Sequence, residues 1–389
     1  MSKVSIVKCS TYSQNVLFDA VKHSVGLVGG IDAFVKSGEK VLLKPNLLMA
    51  AVPEKGITTH PEFIRAVIRL VKTAGGVVSL GDSYGGTSDS VDKVWGDTGM
   101  LKLAQEEGVE LVKLETSGVR EFKLSNGLPE LYVSNTVFEF DKVISLPKLK
   151  THALTTFTCA VKNMYGVIPG VRKSDYHRFL PSPDEFCVLL SELVIKIPPV
   201  LTIVDGIIGM EGDGPSAGIL RECGLILAGS SVFEIDEVTA RIMGVPDELN
   251  PMKKAYMSLG VNISPEIVGE TMESAKIPGF VLPSTKSVQS ILLTYLPKWL
   301  QKMLMRMFRM HMKINTKKCV LCMTCYKRCP KNAITKNRKK LKINLNTCVS
   351  CMCCHELCKY KAVDLEYTLF ARVLLKIKSF GKINSNKKK

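Results

Sequence analysis

Cys319-Val320-Leu321-Cys322-Met323-Thr324-Cys325-Tyr326-Lys327-Arg328-Cys329-Pro330 is followed by Cys348-Val349-Ser350-Cys351-Met352-Cys353-Cys354-His355-Glu356-Leu357-Cys358-Lys359. The two stretches repeat one spacing, C-x-x-C-x-x-C-x-x-x-C, with each member of the second copy 29 positions after its counterpart. The register persists beyond the cysteines, because Ala333-Ile334 maps onto Ala362-Val363, so this part of the chain is an internal duplication. Three thiolates spaced in this way wrap one face of an iron-sulfur cubane, while the fourth, held after a further turn, points towards a neighbouring cubane. The spacing therefore predicts two 4Fe-4S clusters with crossed ligation. Cys319, Cys322, Cys325 and Cys358 would hold one, and Cys348, Cys351, Cys354 and Cys329 the other.

Disulfides and zinc are the other chemistries open to grouped cysteines. The chain begins Met-Ser-Lys-Val-Ser-Ile-Val-Lys, without the apolar run of a secretory leader, so an oxidising compartment is not expected. Zinc sites pair two C-x-x-C knuckles across a longer gap, and need neither a third thiol two residues on nor a proline after the fourth. A complete duplicated run is also far more specific than a lone C-x-x-C. The segment resembles a bacterial two-cluster ferredoxin module over residues 312–368, which implies a small α+β domain. Two departures stand out from that pattern. Lys359 occupies the place of the second run's proline, which should loosen the turn without removing a ligand. Cys353, beside Cys354, is out of register and reads as a spare thiol, a ligand only if the loop shifts.

Working outward, 389 residues with 46% hydrophobic content suffice for two or more domains and exclude a disordered or fibrous chain. The net charge of +17 is unevenly placed: residues 301–389 carry 23 Lys and Arg against Glu356, Asp364 and Glu366, while the first 300 carry 30 basic and 33 acidic residues. Thiolate-held cubanes would offset part of this excess. The remainder suits an acidic redox partner protein or peripheral contact with an anionic membrane face. Nucleic acid is the weakest partner class, since interleaved aromatics and any helix-turn-helix cue are missing from the sequence.

The N-terminal region alternates strand and helix signals. Val4–Val7, Lys40–Leu43, Val77–Leu80, Val109–Leu114, Val143–Leu146 and Leu201–Val204 read as strands; residues 15–28, 61–74 and a stretch ending near Gly108 read as helices. Crossovers of this length predict an α/β fold, a mainly parallel sheet covered by helices on both faces. Ligands bind outside the carboxyl ends of such strands. Lys44 and Asn46, Asp82 and Ser83, Lys148, Lys150 and His152, and Asp205 with Gly206 all follow strands at that edge.

Leu43-Lys44-Pro45-Asn46-Leu47, Leu146-Pro147-Lys148-Leu149-Lys150-Thr151-His152, Val161-Lys162-Asn163-Met164-Tyr165-Gly166, His177 and Glu211-Gly212-Asp213-Gly214-Pro215 resemble domain-of-unknown-function family 362 over residues 1–260. That resemblance implies a fold and a pocket, with no settled reaction. Read physically, Lys44, Lys150, His152 and Lys162 would form a cationic pocket for a carboxylate or phosphate, with Lys148, Asn46, Asn163 and Asp82 as further binding groups. Crowded cations depress lysine pKa values, and His152 is the leading acid/base candidate. Glu211 and Asp213 fall in a tight loop, where they can pair with the pocket lysines, hold a divalent cation or stay solvated. Gly81-Asp82-Ser83-Tyr84-Gly85-Gly86 lets backbone amides approach an anion but is no nucleotide fingerprint. Cys9, Cys159, Cys187 and Cys223 read as buried thiols.

The expected organisation is an α/β domain over 1–249, a connector with basic amphipathic helices over 250–311, the cluster module over 312–368 and a basic tail over 369–389. Within the connector, Val288–Met312 is broken at Pro297; it suits docking of one domain on another in preference to a membrane surface, and is too charged to span a bilayer. A cytoplasmic setting is expected, with peripheral contact at the inner membrane face as the alternative. Three functions fit: an iron-sulfur oxidoreductase acting on an anionic small molecule, a non-enzymatic electron carrier, and a binding or maturation factor with structural clusters.

Overall fold

The computed structural model describes residues 2–84, 91–114, 117–125, 127–180, 182–284, 310–329, 331–348 and 353–367. Gly85 and Gly86, most of the expected basic helices (285–309), Cys351 and the 369–389 tail lie outside the described residues.

Among the described residues twelve strands build the larger part: β1 (Lys3–Lys8), β2 (Lys40–Pro45), β3 (Val77–Gly81), β4 (Glu110–Val112), β5 (Val119–Phe122), β6 (Leu131–Ser134), β7 (Lys142–Leu146), β8 (Lys148–His152), β9 (Thr156–Thr158), β10 (Leu201–Glu211), β11 (Ile219–Gly229) and β12 (Glu266–Gly269). The sheet runs β12-β1-β11-β10-β7-β2-β3-β4, and β8 and β9 continue it beside the far half of β10. From β10 through β7, β2 and β3 to β4 all pairings are parallel; β11 is antiparallel to both β1 and β10. The α/β architecture expected from the alternating signals is thus present, and β5 with β6 forms a separate hairpin.

Strand side chains alternate between the two faces. Leu42, Val204, Leu225 and Leu227 enter one core with Phe186, Leu190, Ile235 and Val238 of the helices Pro183–Lys196 and Val232–Ile242. Their neighbours Val41, Leu43, Ile203 and Ile226 enter the other, against Leu17, Val21, Phe63 and Val67 of the helices Gln14–Leu27 and Pro61–Thr73. The latter helix starts at Pro61, whose missing N–H costs nothing at a first helical position, and the His60 ring accepts from the Glu62 N–H. It ends before Gly75, which takes the left-handed φ of 75° that terminates the turn.

Pro147 divides what would have been one strand. β7 lies between β2 and β10, whereas β8 pairs with β10 and β9, so Lys148, Lys150 and His152, which follow β7 in sequence, belong to a strand of their own. Residues 250–284, expected as connector, also belong in part to this body. The helix Pro251–Ser258 buries Met252, Ala255 and Tyr256, and β12 adds a parallel edge to β1. Their prolines fall at helix starts and strand flanks, where a missing N–H is tolerated.

The described residues of the cluster module form two small sheets: β13 (Met310–Ile314) with β16 (Val363–Tyr367), and β14 (Ile334–Asn337) with β15 (Lys340–Ile343). Met310–Met312, expected as the end of a basic helix, instead pair antiparallel with Leu365–Tyr367 in the first of these sheets. Met312, Ile314, Ile334, Leu341, Ile343 and Val363 form the module's core, and Ala153 of the larger part joins it.

Candidate iron-sulfur centre and the adjoining rim

The duplication seen in the cysteines recurs in the backbone. Cys329 Sγ accepts from the Ala333 N–H at 3.2 Å, and Cys358 Sγ accepts from the Ala362 N–H at 3.2 Å. Asn315 and Asn344, again 29 apart, open the two loops in the same way: each side-chain oxygen accepts from a backbone N–H two residues on, at 3.0 Å, and each backbone oxygen accepts from the first cysteine N–H of its run, at 3.0 Å. Asn332 and Lys361 both take φ of 49°. The two halves are therefore one local structure written twice.

Burial, helped by charge repulsion from nearby Cys358, Cys322 and Cys319, pushes the Cys325 thiol up to about 11. Cys358, from the other half of the duplication, thus lies near Cys325. Among the described residues all cysteines are free thiols, and no His, Cys, Asp and Glu group is drawn together tightly enough for one metal ion. Grouped thiols, with Cys319, Cys325 and Cys358 backed by the apolar core and an N–H aimed at Cys358 Sγ, suit a cubane, whose ligands sit on separate iron atoms. Cys348 and Cys354 of the second set pack on the same core; Cys351 is outside the described residues.

The rim formed by the ends of β3, β2, β7 and β10 gathers the polar residues expected there, but most meet one another. Lys44 is 1% exposed; its Nζ lies 2.7 Å from Asp82 Oδ1 and donates to Pro45 O at 2.7 Å and Asn163 Oδ1 at 3.1 Å. Asp82 Oδ2 accepts from the Leu47 N–H, and Asn163 Nδ2 donates to Lys44 O and Ser145 Oγ. Gly166 makes this packing possible, since a Cβ there would lie 1.9 Å from Asp82 Oδ1. Burial draws the Lys44 ammonium below the ordinary lysine range, Asp82 opposes that, and nearby Lys162 adds to it. Lys148 pairs with Asp205 at 2.8 Å, and Lys150 donates to Asn46 Oδ1 at 2.7 Å and Ile57 O at 2.6 Å.

His152 is fully buried and its Nδ1 accepts from the Leu154 and Thr155 N–H groups, at 3.1 and 3.2 Å, so it braces the turn after β8. Lys162 is half-buried, its Nζ 5.7 Å from the Tyr165 ring centroid; His177 stacks on Phe186. Glu211 and Asp213 bond to a different part of the chain. Glu211 accepts from the Val281 N–H, and Asp213 Oδ1 accepts from the N–H and Oγ of Ser284, both at 2.8 Å, so the pair pins the 280–284 segment.

Three contributors were missed by sequence reasoning. Tyr12 donates to Asp205 Oδ1 at 2.8 Å and stacks on the His60 ring, whose backbone N–H donates to Asp205 Oδ2. Burial and the Asp205 carboxylate raise Tyr12 above the ordinary phenol range, and burial lowers His60. His60 before Pro61 was legible as a helix cap, whereas the approach of residue 12 to residue 205 left no local signal. The third is His355, 4% exposed, which joins Val363 O at 2.7 Å to Asp213 O at 3.3 Å and so ties the module to the larger part.

Residues 41–241 match the family described as domain of unknown function (DUF362), and residues 312–335 match the 4Fe-4S binding domain. A thylakoid-associated protein of Synechocystis sp. (strain ATCC 27184 / PCC 6803 / Kazusa) is 36% identical over 263 residues, 67% of this chain and 81% of that protein. The lactate racemase apoprotein from Thermoanaerobacterium thermosaccharolyticum aligns with a TM-score of 0.43 and 11% identity, over 63% of this chain and 58% of that one.

Proposed function

From the premise that this chain belongs to the DUF362 family and carries a 4Fe-4S binding domain, we propose that it is an electron-transferring oxidoreductase with two 4Fe-4S clusters. The observation that carries the reading is the local structure repeated at 29-residue offset, with equivalent N–H···Sγ bonds at Cys329 and Cys358. When bound, such clusters exchange single electrons at a potential set in part by hydrogen bonds to sulfur. The Ala333 and Ala362 N–H groups favour the more negative, reduced form at the sulfurs they touch. Lys336, Arg338, Lys339, Lys340 and Lys342, all exposed on β14, β15 and the turn between them, present a positive surface that steers an acidic protein towards the module. His355 and Ala153 hold the module against the α/β part, so a small anionic molecule bound there lies next to the cysteine loops.

Anaerobic purification followed by iron and sulfide analysis tests this directly. About eight iron atoms per chain are expected, with a reduced-state EPR spectrum of two interacting 4Fe-4S centres. Cys329→Ala and Cys358→Ala should each perturb a different centre. Zinc, or no metal, in the purified protein would remove the basis of the proposal.

A further inference from the structure

Where the larger part meets the second cysteine loop there is a cavity of about 270 Å³. We infer that it is the substrate site, and that it takes a small carboxylate with a short apolar body; this rests on the electron-transfer reading above. Met49, Ala50, Ala51, Ile57 and Leu220 form an apolar wall, and Ser216 and Gly218 leave room beside it. The charged lining is Lys55, Lys359 and Lys361 against Glu54, a net positive balance. The volume falls just below the roughly 300 Å³ at which pockets begin to hold drug-sized ligands, so the occupant is small. An apolar lining with a net positive balance fits a carboxylate with a hydrocarbon portion better than it fits a bare phosphate.

The duplication gives an independent reason. Lys359 and Lys361 stand where the first half carries Pro330 and Asn332. The turn is unchanged, since Asn332 and Lys361 share φ of 49°. Asparagine tolerates that left-handed conformation, but a long lysine side chain gains nothing from it. A residue that the left-handed turn does not favour, placed in the copy that lines the cavity, points to its charge as the reason it is there. Lys359 also follows Cys358 directly, which sets the cavity beside one expected cluster ligand.

The buried rim lysines acquire a role in this arrangement. Lys150 Nζ donates to the carbonyl of Ile57, a wall residue, and to Asn46. It is a positioning residue, holding the wall from behind without reaching the cavity's occupant.

The test uses the full-length, anaerobically purified chain with its clusters in place. Butyrate, its uncharged isostere butyramide, and inorganic phosphate are titrated and followed by saturation-transfer NMR. Butyrate should bind roughly tenfold more tightly than butyramide, and more tightly than phosphate. Lys359→Gln with Lys361→Gln should weaken butyrate about tenfold, and Leu220→Trp, on the opposite wall and away from the cysteines, should block it with the EPR spectrum preserved. Equal binding of butyrate and butyramide, tighter binding of phosphate, wild-type affinity in both variants, or no binding at all would each overturn the inference. Iron content and EPR of the same samples report separately on the electron-transfer reading, so butyrate binding in a protein without iron would fail that reading alone.

Discussion

The lysines of this chain are used in two opposite ways. At the sheet rim, Lys44, Lys148 and Lys150 are no more than 2% exposed, and each ammonium meets a carboxylate, an amide oxygen or a carbonyl. On the module, Lys361 and the lysines of β14 and β15 are exposed. A lysine at the end of a buried strand is a cross-brace when the next strand supplies an acceptor. A lysine on a small module whose core is already filled is left to act on what approaches from outside.

The sharpest way to break this contrast is at Lys44. Lys44→Met leaves the Asp82 carboxylate buried without its cation, and should destabilise the α/β part by about 3–5 kcal/mol. Combining it with Asp82→Asn should recover part of that loss, because the orphaned charge disappears. Anaerobic denaturant unfolding of the single and double variants measures both. A Lys44→Met protein as stable as the parent would show that the rim ammonium is not a brace.

Asp236 sharpens the comparison from the acidic side. Its carboxylate accepts from the Ala160 and Val161 N–H groups, at 2.7 and 3.2 Å, in a fully buried site, and burial pushes it up to about 7 from an ordinary 3.8. Because the folded value stands above the unfolded one, the contribution is fully present below about pH 4 and is lost as pH rises through about 7. Stability should therefore fall across that window, by at most about 1.4 kcal/mol per pH unit from this group, and Asp236→Asn should flatten the fall. Unfolding midpoints between pH 4 and 8 check it.

Much of the architecture was readable because it rests on local periodicity. The strands ending at Lys44, Asp82 and Leu146 were visible as short apolar runs, and their shared rim followed from parallel crossovers. The rim's chemistry was not readable in the same way. That Lys44 meets Asp82, that Tyr12 meets Asp205, and that Glu211 and Asp213 hold residues 280–284 depend on the register between distant strands, which no spacing encodes. β12 was hidden because four residues among prolines carry too little pattern, and it forms only where β1 offers an edge. In the module the reverse holds. Ligand chemistry is written in cysteine spacing, and the repeat carries its own check, since equivalent bonds recur 29 residues apart.

Between the two regions stands His355, at the place of Tyr326 in the first copy. Its ring lies between Val363 O and Asp213 O, so His355→Ala should cost about 1–2 kcal/mol through the hydrogen bonding lost there. Thermal unfolding gives the magnitude. Hydrogen exchange should show faster opening at Ala153 and Gly214, whose amides are bonded on the larger side of the contact. Unchanged exchange there would separate His355 from docking.

The smallest effect on stability should come from the exposed set. Replacing Arg338, Lys339 and Lys340 together by glutamine should move stability by less than about 0.5 kcal/mol, since their charged groups are solvated. The same change should slow electron exchange with an acidic protein at low salt and flatten its dependence on ionic strength, because attraction between solvated surfaces is screened beyond about 10 Å at 0.1 M salt. Stopped-flow rates across a salt series measure this. A variant that lost stability but kept the salt dependence would place these charges with the rim lysines, as internal braces, and would erase the distinction between the two regions.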